Sequence, residues 1–438
     1  MNNFKSQEYQ GRAKKSIPGM TQLLSKRPDR FSMGVWPTYY EKAEGIKVWD
    51  LDGNVYRDFS IGGVGANILG YADPDVNDAV IGAIQKGSSS SLNCYEEVEL
   101  AELLCELHPW AEMVRYARSG GEAMAMAVRI ARARTGKDVV AFCGYHGWHD
   151  WYLAANLGEK DGLKGQLQAG LNPRGVPAGL KDTAFPFFYN DLDALRAIVE
   201  KHGNNLAAIV MEPIRHFIPT PEFMPGVMSI AKDTGAVLIV DEISAGFRLV
   251  SGGAHLTLGL VPDIAVFSKA MGNGFPIAAV VGKKDVMEAS QTSFISSTMW
   301  TERVGPVAAL ATIKKHRKLN VADHLCAMGK EVKLGWSSLA AKHGLDLSVS
   351  GLDPVGHFSF NFADNLHARA FFVQEMLKNG FLATDSFYAM YAHTAEDVSD
   401  YLNAVDVVFA SLRKVLDEGR LKESLEGLPA VAGFTRIA

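Results

Sequence analysis

Two charged residues directly follow apolar segments that have the composition of buried strands. Asp241 ends the run VLIVD, and Lys269 follows the run DIAVFS. In open α/β sheets, ligand-binding groups lie at the carboxyl ends of the strands. A carboxylate there could bind a metal, act as a base or pair with a cation, and a partly desolvated lysine amine can attack a carbonyl carbon. Each residue alone is also compatible with a structural role, Asp241 as a loop cap and Lys269 as a side chain that reaches solvent.

A glycine-containing turn and an aromatic cluster add two further kinds of site. The Ser-Gly-Gly turn at 119–121 opens a helical segment, and the N–H groups at a helix N-terminus bind phosphate. The same turn could instead form a capping box with Glu122. In the segment FCGYHGWHDW, Tyr145 could stack on a planar ligand. His146 and His149 have no third ligand at a suitable spacing, so the sequence predicts no metal site.

These four features follow one another along the chain and fall on one predicted edge of a sheet. Each is a weak or moderate signal alone, but their combination matches the needs of pyridoxal phosphate (PLP). That cofactor requires an anion site for its phosphate, a planar partner for its ring, an acid for the pyridine nitrogen and an amine for its aldehyde. The sequence therefore predicts PLP as the cofactor.

The segments that would carry these residues alternate between short apolar strands and helices. Continuous apolar runs separated by helices are typical of buried strands in a mostly parallel sheet with helices on both faces, which is an α/β architecture. The predicted strands lie at 113–117, 138–143, 206–213, 236–242, 263–269 and 277–282, with a helix at 122–135. We expect an N-terminal segment (1–60) that packs with a small α+β domain (321–438), and a large PLP-binding domain between them (61–320).

Composition and charge exclude several classes of protein. The net charge is -5 without a basic stripe, so no nucleic-acid partner is expected. The four cysteines form no CxxC pair, which favours reduced thiols in the cytoplasm. No apolar run is long enough to span a membrane. We expect a cytoplasmic protein that acts on small molecules.

The motifs as a set resemble the class III aminotransferases of PLP fold type I, in particular their glutamate-1-semialdehyde aminomutase branch. The resemblance extends over most of the chain. It is carried by segments that occur in family order, namely 48–59, 99–109, 113–136, 144–150, 211–213, 241–248, 263–282 and 392–398. The family resemblance implies a large domain with a mostly parallel sheet, a smaller α+β domain and a homodimer with composite active sites.

The resemblance also implies a role for individual residues. Lys269 would hold the cofactor covalently and then move protons, and Asp241 would pair with the pyridine nitrogen. The family usually has Thr or Ser where this chain has Gly121, so one hydroxyl donor is lost and backbone amides would have to carry more of the phosphate. The remaining cofactor-binding candidates are Ser119 and Gly120 at the phosphate, Tyr145 and Ile243 on the two ring faces, His146 and Glu212 near the cofactor, and Thr298 or Thr301 reaching the phosphate of the partner subunit.

The activity that the resemblance implies is a ping-pong, Schiff-base transfer of an amino group from a donor to an oxo acceptor. The acceptor classes that fit are β- or ω-oxo acids, acyl thioesters and oxo-sugars. Arg215 and His216 depart from the small apolar pattern of the aminomutases and could recognise an acidic group on the substrate, or could belong to a solvated loop.

Two alternatives differ in what they do with the cofactor. An aminomutase would move the amino group within one molecule, but this chain departs from that branch in three places. QLLSK at 22–26 replaces the substrate-holding stretch, Val64 replaces an aromatic residue, and the segment 383–394 of this chain is shorter than its counterpart. A PLP-binding regulator would carry a DNA-binding module, and no helix-turn-helix pattern or basic face is evident. A transaminase is the favoured function.

Overall fold

The chain forms two compact units. The computed structural model describes residues 3–158, 162–163, 165–166, 171–214, 218–431 and 433. One unit is Pro74–Ala322, and the other combines Met1–Asp73 with Asp323–Ala438. The limits at 60/61 and 320/321 stay a prediction for the domain boundaries. No helix in the described part of the chain is long and apolar enough to cross a bilayer.

Strands and helices alternate through the middle of the chain. The strands are β1 (Tyr40–Glu44), β2 (Lys47–Asp50), β3 (Val55–Phe59), β4 (Met113–Ala117), β5 (Val139–Cys143), β6 (Ala184–Pro186), β7 (Leu206–Met211), β8 (Val237–Asp241), β9 (Ile264–Phe267), β10 (Ala278–Gly282), β11 (Leu347–Ser350), β12 (Val355–Phe360), β13 (Phe381–Ala383) and β14 (Ser386–Tyr388). The α-helices are α1 (Phe4–Ser16), α2 (Gly62–Gly65), α3 (Pro74–Gln85), α4 (Glu96–Leu107), α5 (Gly120–Thr135), α6 (Asp150–Leu153), α7 (Ala155–Gly158), α8 (Leu192–His202), α9 (Phe223–Thr234), α10 (Lys284–Met287), α11 (Val304–Lys318), α12 (Val321–Lys342), α13 (Asn365–Lys378) and α14 (Ala395–Asp417).

The unit Pro74–Ala322 is built on a seven-stranded sheet with the order β4-β10-β9-β8-β7-β5-β6. Strands β6, β5, β7, β8 and β9 run parallel, whereas β10 is antiparallel to both of its neighbours. The α/β prediction with a mostly parallel sheet is therefore confirmed. The edge strand β6 was not predicted, because the three residues AFP are too short to show a period.

Helices cover both faces of this sheet, which explains why its strands are apolar throughout. Alternate residues of a strand point to opposite faces. Phe142 and Val210 pack in the cluster that contains α5, whereas Ala141 and Met211 pack in the cluster that contains α9. Every residue of β5, β7 and β8 is buried. Both faces thus need apolar side chains, and the sequence shows runs rather than alternation.

Helix α5 lies against the sheet through small side chains. Ala123, Ala127 and Ala131 recur at a spacing of four residues and are fully buried. Residues at this spacing share one helix face, and alanine lets that face approach the sheet closely. The helix ends at Gly136, whose φ of +67° suits the left-handed C-terminal position. Its N-terminus follows β4 after two residues, which places the Ser-Gly-Gly turn at a strand end.

The other unit has an α+β organisation, as predicted. Its sheets have the orders β1-β2-β3-β13 and β11-β12-β14. Strands β2 and β3 form an antiparallel hairpin around Asp52 and Gly53, a residue pair that favours hairpin turns. Strand β13 pairs in parallel with β3, so the C-terminal part of the chain extends the sheet that the N-terminal part begins.

Candidate active site

Asp241 and Lys269 lie at the ends of two adjacent parallel strands. Asp241 is the last residue of β8, and its Cα pairs in register with Val266 of β9. Lys269 follows two residues after Phe267, the end of β9. Since β8 and β9 run in the same direction, both side chains start from the same edge of the sheet. The structure thus brings the predicted acid and amine together.

Two partners hold the Asp241 carboxylate, which is almost fully buried. Its Oδ1 accepts a hydrogen bond from the Ile243 N–H at 3.0 Å, and its Oδ2 lies 2.8 Å from His146 Nδ1. His146 is 1% exposed, and its Nε2 lies 3.0 Å from the carbonyl oxygen of Cys143. A buried charge is stable only with such partners. His146 therefore contacts the predicted acid and fixes its orientation.

Lys269 has an unusual backbone conformation. Its φ is +43°, in the left-handed region that side chains with a Cβ rarely adopt. Its Nζ donates a hydrogen bond to Ser244 Oγ at 2.8 Å. Such local strain is concentrated at functional sites, where the surrounding structure maintains it. The amine is thus held in place by the strand-end turn and by a hydroxyl group from the segment after β8.

The N-terminus of α5 has the features of an anion site. The first N–H groups of a helix have no acceptor within the helix and carry its positive dipole end. Glu122 Oε2 accepts from the N–H of Ser119 at 2.9 Å and from its Oγ at 3.0 Å, so the capping contact weighed above is also formed. A Cβ atom on Gly120 would lie 2.7 Å from Ile243 Cδ1. Gly120 thus lets Ile243 pack directly against the turn.

Tyr145 and Glu212 meet in the loop after β5. The Tyr145 N–H donates to Glu212 Oε2 at 3.2 Å. Gly144 has a φ of +113°, and a Cβ atom there would lie 2.7 Å from the same carboxylate oxygen. The Tyr145 ring is half-buried and lies edge-on to Tyr152, with centroids 5.8 Å apart. Glu212 therefore anchors the loop that carries the predicted stacking residue.

The two threonine candidates lie on one turn at the surface of the unit. Thr298 and Thr301 are exposed, and Thr301 Oγ1 donates to the carbonyl oxygen of Thr298 at 2.9 Å. Arg118 donates to the carbonyl oxygens of Trp300 and Glu302 at 3.0 and 2.8 Å. This turn is therefore anchored to Arg118, the residue that precedes the Ser-Gly-Gly turn. Arg215 and His216 lie outside the described residues.

The structure adds residues that the sequence did not single out. Ser244 contacts Lys269, as described above. Glu242 is buried beside Asp241, and its Oε1 accepts from His255 Nδ1 at 2.6 Å. His108 lies next to His255, and burial lowers its pKa to about 4. No local sequence pattern predicts the contact between Glu242 and His255, because the two residues meet only when the loop after β8 folds back.

These residues fit PLP on the evidence of their own packing and donors. Gly120 leaves the room that Ile243 needs beside the turn, and the helix N-terminus supplies N–H donors. Asp241 is a buried acid, and Lys269 is an amine at the same sheet edge. Among the described residues, no group of three or more His, Cys, Asp or Glu side chains is placed to hold a metal ion.

Comparisons with known proteins agree with this chemistry. The family model "Aminotransferase class-III" matches residues 31–398. A 3-aminobutyryl-CoA aminotransferase from Cloacimonas acidaminovorans (strain Evry) is 33% identical over 417 residues, which cover 92% of this chain and 96% of the relative. A glutamate-1-semialdehyde 2,1-aminomutase from Dechloromonas aromatica (strain RCB) is 35% identical over 436 residues, with 93% and 99% covered.

A solved structure described as a transaminase with PLP bound shares the fold over nearly the whole chain. Its TM-score is 0.83 at 26% sequence identity, and the match covers 96% of this chain and 100% of that chain. The predicted fold type and the predicted cofactor are thereby both confirmed.

Proposed function

This chain belongs to the class III aminotransferases and is a PLP-dependent transaminase; we propose that its site works through Lys269 and Asp241 and that its substrates carry the amine or oxo group on the β carbon of an acyl compound. One observation carries the site assignment. The strand-end acid and the strand-end amine start from the same sheet edge, on adjacent strands in register. The β-carbon class is supported by the 3-aminobutyryl-CoA aminotransferase relative, whose substrate name describes such an amine.

The binding roles follow from the positions of the side chains. Bound PLP supplies an aldehyde that exchanges with amines and a ring that withdraws electrons from the attached carbon. The N–H groups of Gly120 and Gly121 would bind the phosphate, while the Ser119 hydroxyl donates to Glu122 Oε2 beside them. Tyr145 and Ile243 would pack on the two faces of the ring and so exclude water from the reacting carbon.

One side chain, Lys269, would transfer the proton, and three others would support it. Asp241 would hold the pyridine nitrogen protonated, because a buried carboxylate favours a positive partner. His146 positions Asp241 through its Nδ1. The Lys269 amine holds the cofactor before the reaction. When free, the Lys269 amine would act as general base and acid, taking a proton from the amine-bearing carbon of the substrate and later returning it. Ser244 orients that amine between turnovers.

A panel of half-reactions tests this function. We expect the PLP-loaded protein to convert to its pyridoxamine phosphate form with glutamate or alanine, releasing the matching oxo acid, and to convert back with a β-oxo acyl thioester. Absorbance spectra and product analysis measure both steps. Matched ω-oxo acids and oxo-sugars serve as acceptor controls, and faster return with one of them would contradict the proposed substrate class.

The aminomutase is the second candidate, because the aminomutase relative is 35% identical over nearly its whole length. The same panel separates the two functions. An aminomutase would isomerise glutamate-1-semialdehyde without any second substrate and without net release of pyridoxamine phosphate. We expect no such isomerisation, since the stretch at 22–26 and Val64 depart from the aminomutase pattern. Arg215 and His216 stay candidates for binding an acidic group of the substrate.

We further propose a homodimer in which Thr298 or Thr301 completes the phosphate site of a second copy. The unit Pro74–Ala322 exposes several large apolar side chains between the C-terminal half of α3 and the first turn of α4, which favours a protein interface there. They are Ile81, Ile84, Leu92, Tyr95 and Val98. Sedimentation of the loaded protein should give a dimer, and a monomer at micromolar concentration would contradict the proposal.

A further inference from the structure

The ring of His149 lies directly against a glycine in the first turn of α5. A Cβ atom placed on Gly121 would lie 3.0 Å from His149 Cδ2 and 3.2 Å from His149 Nε2. The next atom is Trp148 Nε1, at 3.7 Å. The space that a side chain at position 121 would need is therefore taken by the Cδ2–Nε2 edge of an imidazole, which can supply an N–H donor there.

Local backbone conformation explains how this ring reaches the helix. Gly147 has a φ of +102°, and a Cβ atom on it would lie 3.2 Å from the Cα of Gly121. The loop after β5 thus packs backbone against backbone on the turn. His149 follows in an extended conformation, and its ring packs on that of Trp148, with centroids 4.5 Å apart and an interplanar angle of 31°. The ring is half-buried, and this burial lowers the pKa of His149.

The turn itself is short of side-chain donors. Neither Gly120 nor Gly121 has a side chain, and the Ser119 hydroxyl lies 3.0 Å from Glu122 Oε2, an acceptor that engages it. Among the residues of this turn, only backbone N–H groups would therefore be available to a phosphate. Two ring nitrogens lie near position 121, and His149 Nε2 is closer to a Cβ atom there than Trp148 Nε1, at 3.2 Å against 3.7 Å.

We propose that His149 is a phosphate-binding residue, which donates from Nε2 to the cofactor phosphate in place of a side chain at position 121. This proposal rests on the proposed function, because it requires the phosphate of PLP to lie at the N-terminus of α5. The proposal also couples positions 121 and 149, because a side chain at position 121 and the imidazole of His149 would compete for the same space.

Comparison of PLP with pyridoxal, which lacks the phosphate, isolates this contact. Apoprotein is prepared by amine treatment and dialysis, and each aldehyde is titrated while the absorbance of the lysine-linked form is recorded. His149→Ala should raise the dissociation constant of PLP about 10- to 100-fold, as expected for a hydrogen bond to a charged group. The dissociation constant of pyridoxal should change by less than about threefold. His202→Ala is the matched control, since His202 is also half-buried with its ring on an aromatic partner, Phe185.

A second substitution separates binding from a purely structural role. In the His149→Ala background, Gly121→Ser restores a hydroxyl donor to the vacated space and should recover most of the lost PLP affinity. In the native background the same change should not improve affinity, because its Cβ would lie 3.0 Å from the imidazole. Equal loss of PLP and pyridoxal binding in His149→Ala, or no loss of either, would overturn the proposal while leaving the Lys269 assignment intact. Failure of the native protein to attach PLP at Lys269 would instead overturn the proposed function.

Discussion

Replacing Lys269 with alanine should reduce turnover by at least about 10⁴-fold, because the change removes both the covalent attachment and the group that moves the proton. The visible absorbance of the lysine-linked cofactor should disappear at the same time. Turnover and absorbance are measured on protein loaded with PLP in excess. The half-reaction should be partly restored by adding a small primary amine, which can replace the missing base.

The control for this prediction is Lys284→Ala. Lys284 is an exposed lysine at the start of α10 in the same unit. We expect it to leave both turnover and absorbance unchanged. Retention of more than about a tenth of the native rate in Lys269→Ala would exclude this residue as the proton carrier.

Replacing Asp241 with asparagine should lower kcat by about 10²- to 10³-fold while the cofactor still attaches to Lys269. The amide keeps the shape of the side chain but loses the charge that holds the pyridine nitrogen protonated, and preorganised charge of this kind contributes such factors. Because Asp241 Oδ2 also lies beside His146 Nδ1, some loss of stability is expected. Thermal unfolding and single-turnover rates separate the two effects.

Asp263→Asn provides the matched control, because Asp263 lies at the amino end of β9, away from the carboxyl ends that carry Asp241 and Lys269. Asp263 precedes β9, accepts a hydrogen bond from the Leu238 N–H and pairs with Lys283. Its loss should cost about 1 kcal/mol of stability without lowering the rate of the chemical step. A native single-turnover rate in Asp241→Asn would mean that this carboxylate does not act on the ring.

The strand-end positions could be predicted because both depend on local signals. Asp241 and Lys269 each follow an apolar run long enough to be a buried strand, and parallel strands present their carboxyl ends at one edge. The Ser-Gly-Gly turn before a helical pattern was likewise visible in the sequence. Strand β6 was missed because three residues show no period, and because its pairing with β5 depends on the fold of the intervening chain.

The contacts that tune the site could not be predicted, because they join residues that are distant in sequence. His146 reaches Asp241 only when β5 and β8 occupy the same sheet. His149 was weighed as a metal ligand and set aside, and its place beside Gly121 depends on the close approach of Gly147 to the helix. Ser244 and Lys269 lie 25 residues apart, so no local pattern in the sequence predicts the hydrogen bond between them.

The central claim is that the amine of Lys269 and the carboxylate of Asp241 act on one bound cofactor. A crystal structure of the PLP-loaded protein is its most direct test. We predict continuous density from Nζ of Lys269 to the cofactor, with the pyridine nitrogen within hydrogen-bond distance of Asp241. Attachment of the cofactor to another lysine, or a pyridine nitrogen that faces away from Asp241, would contradict the account.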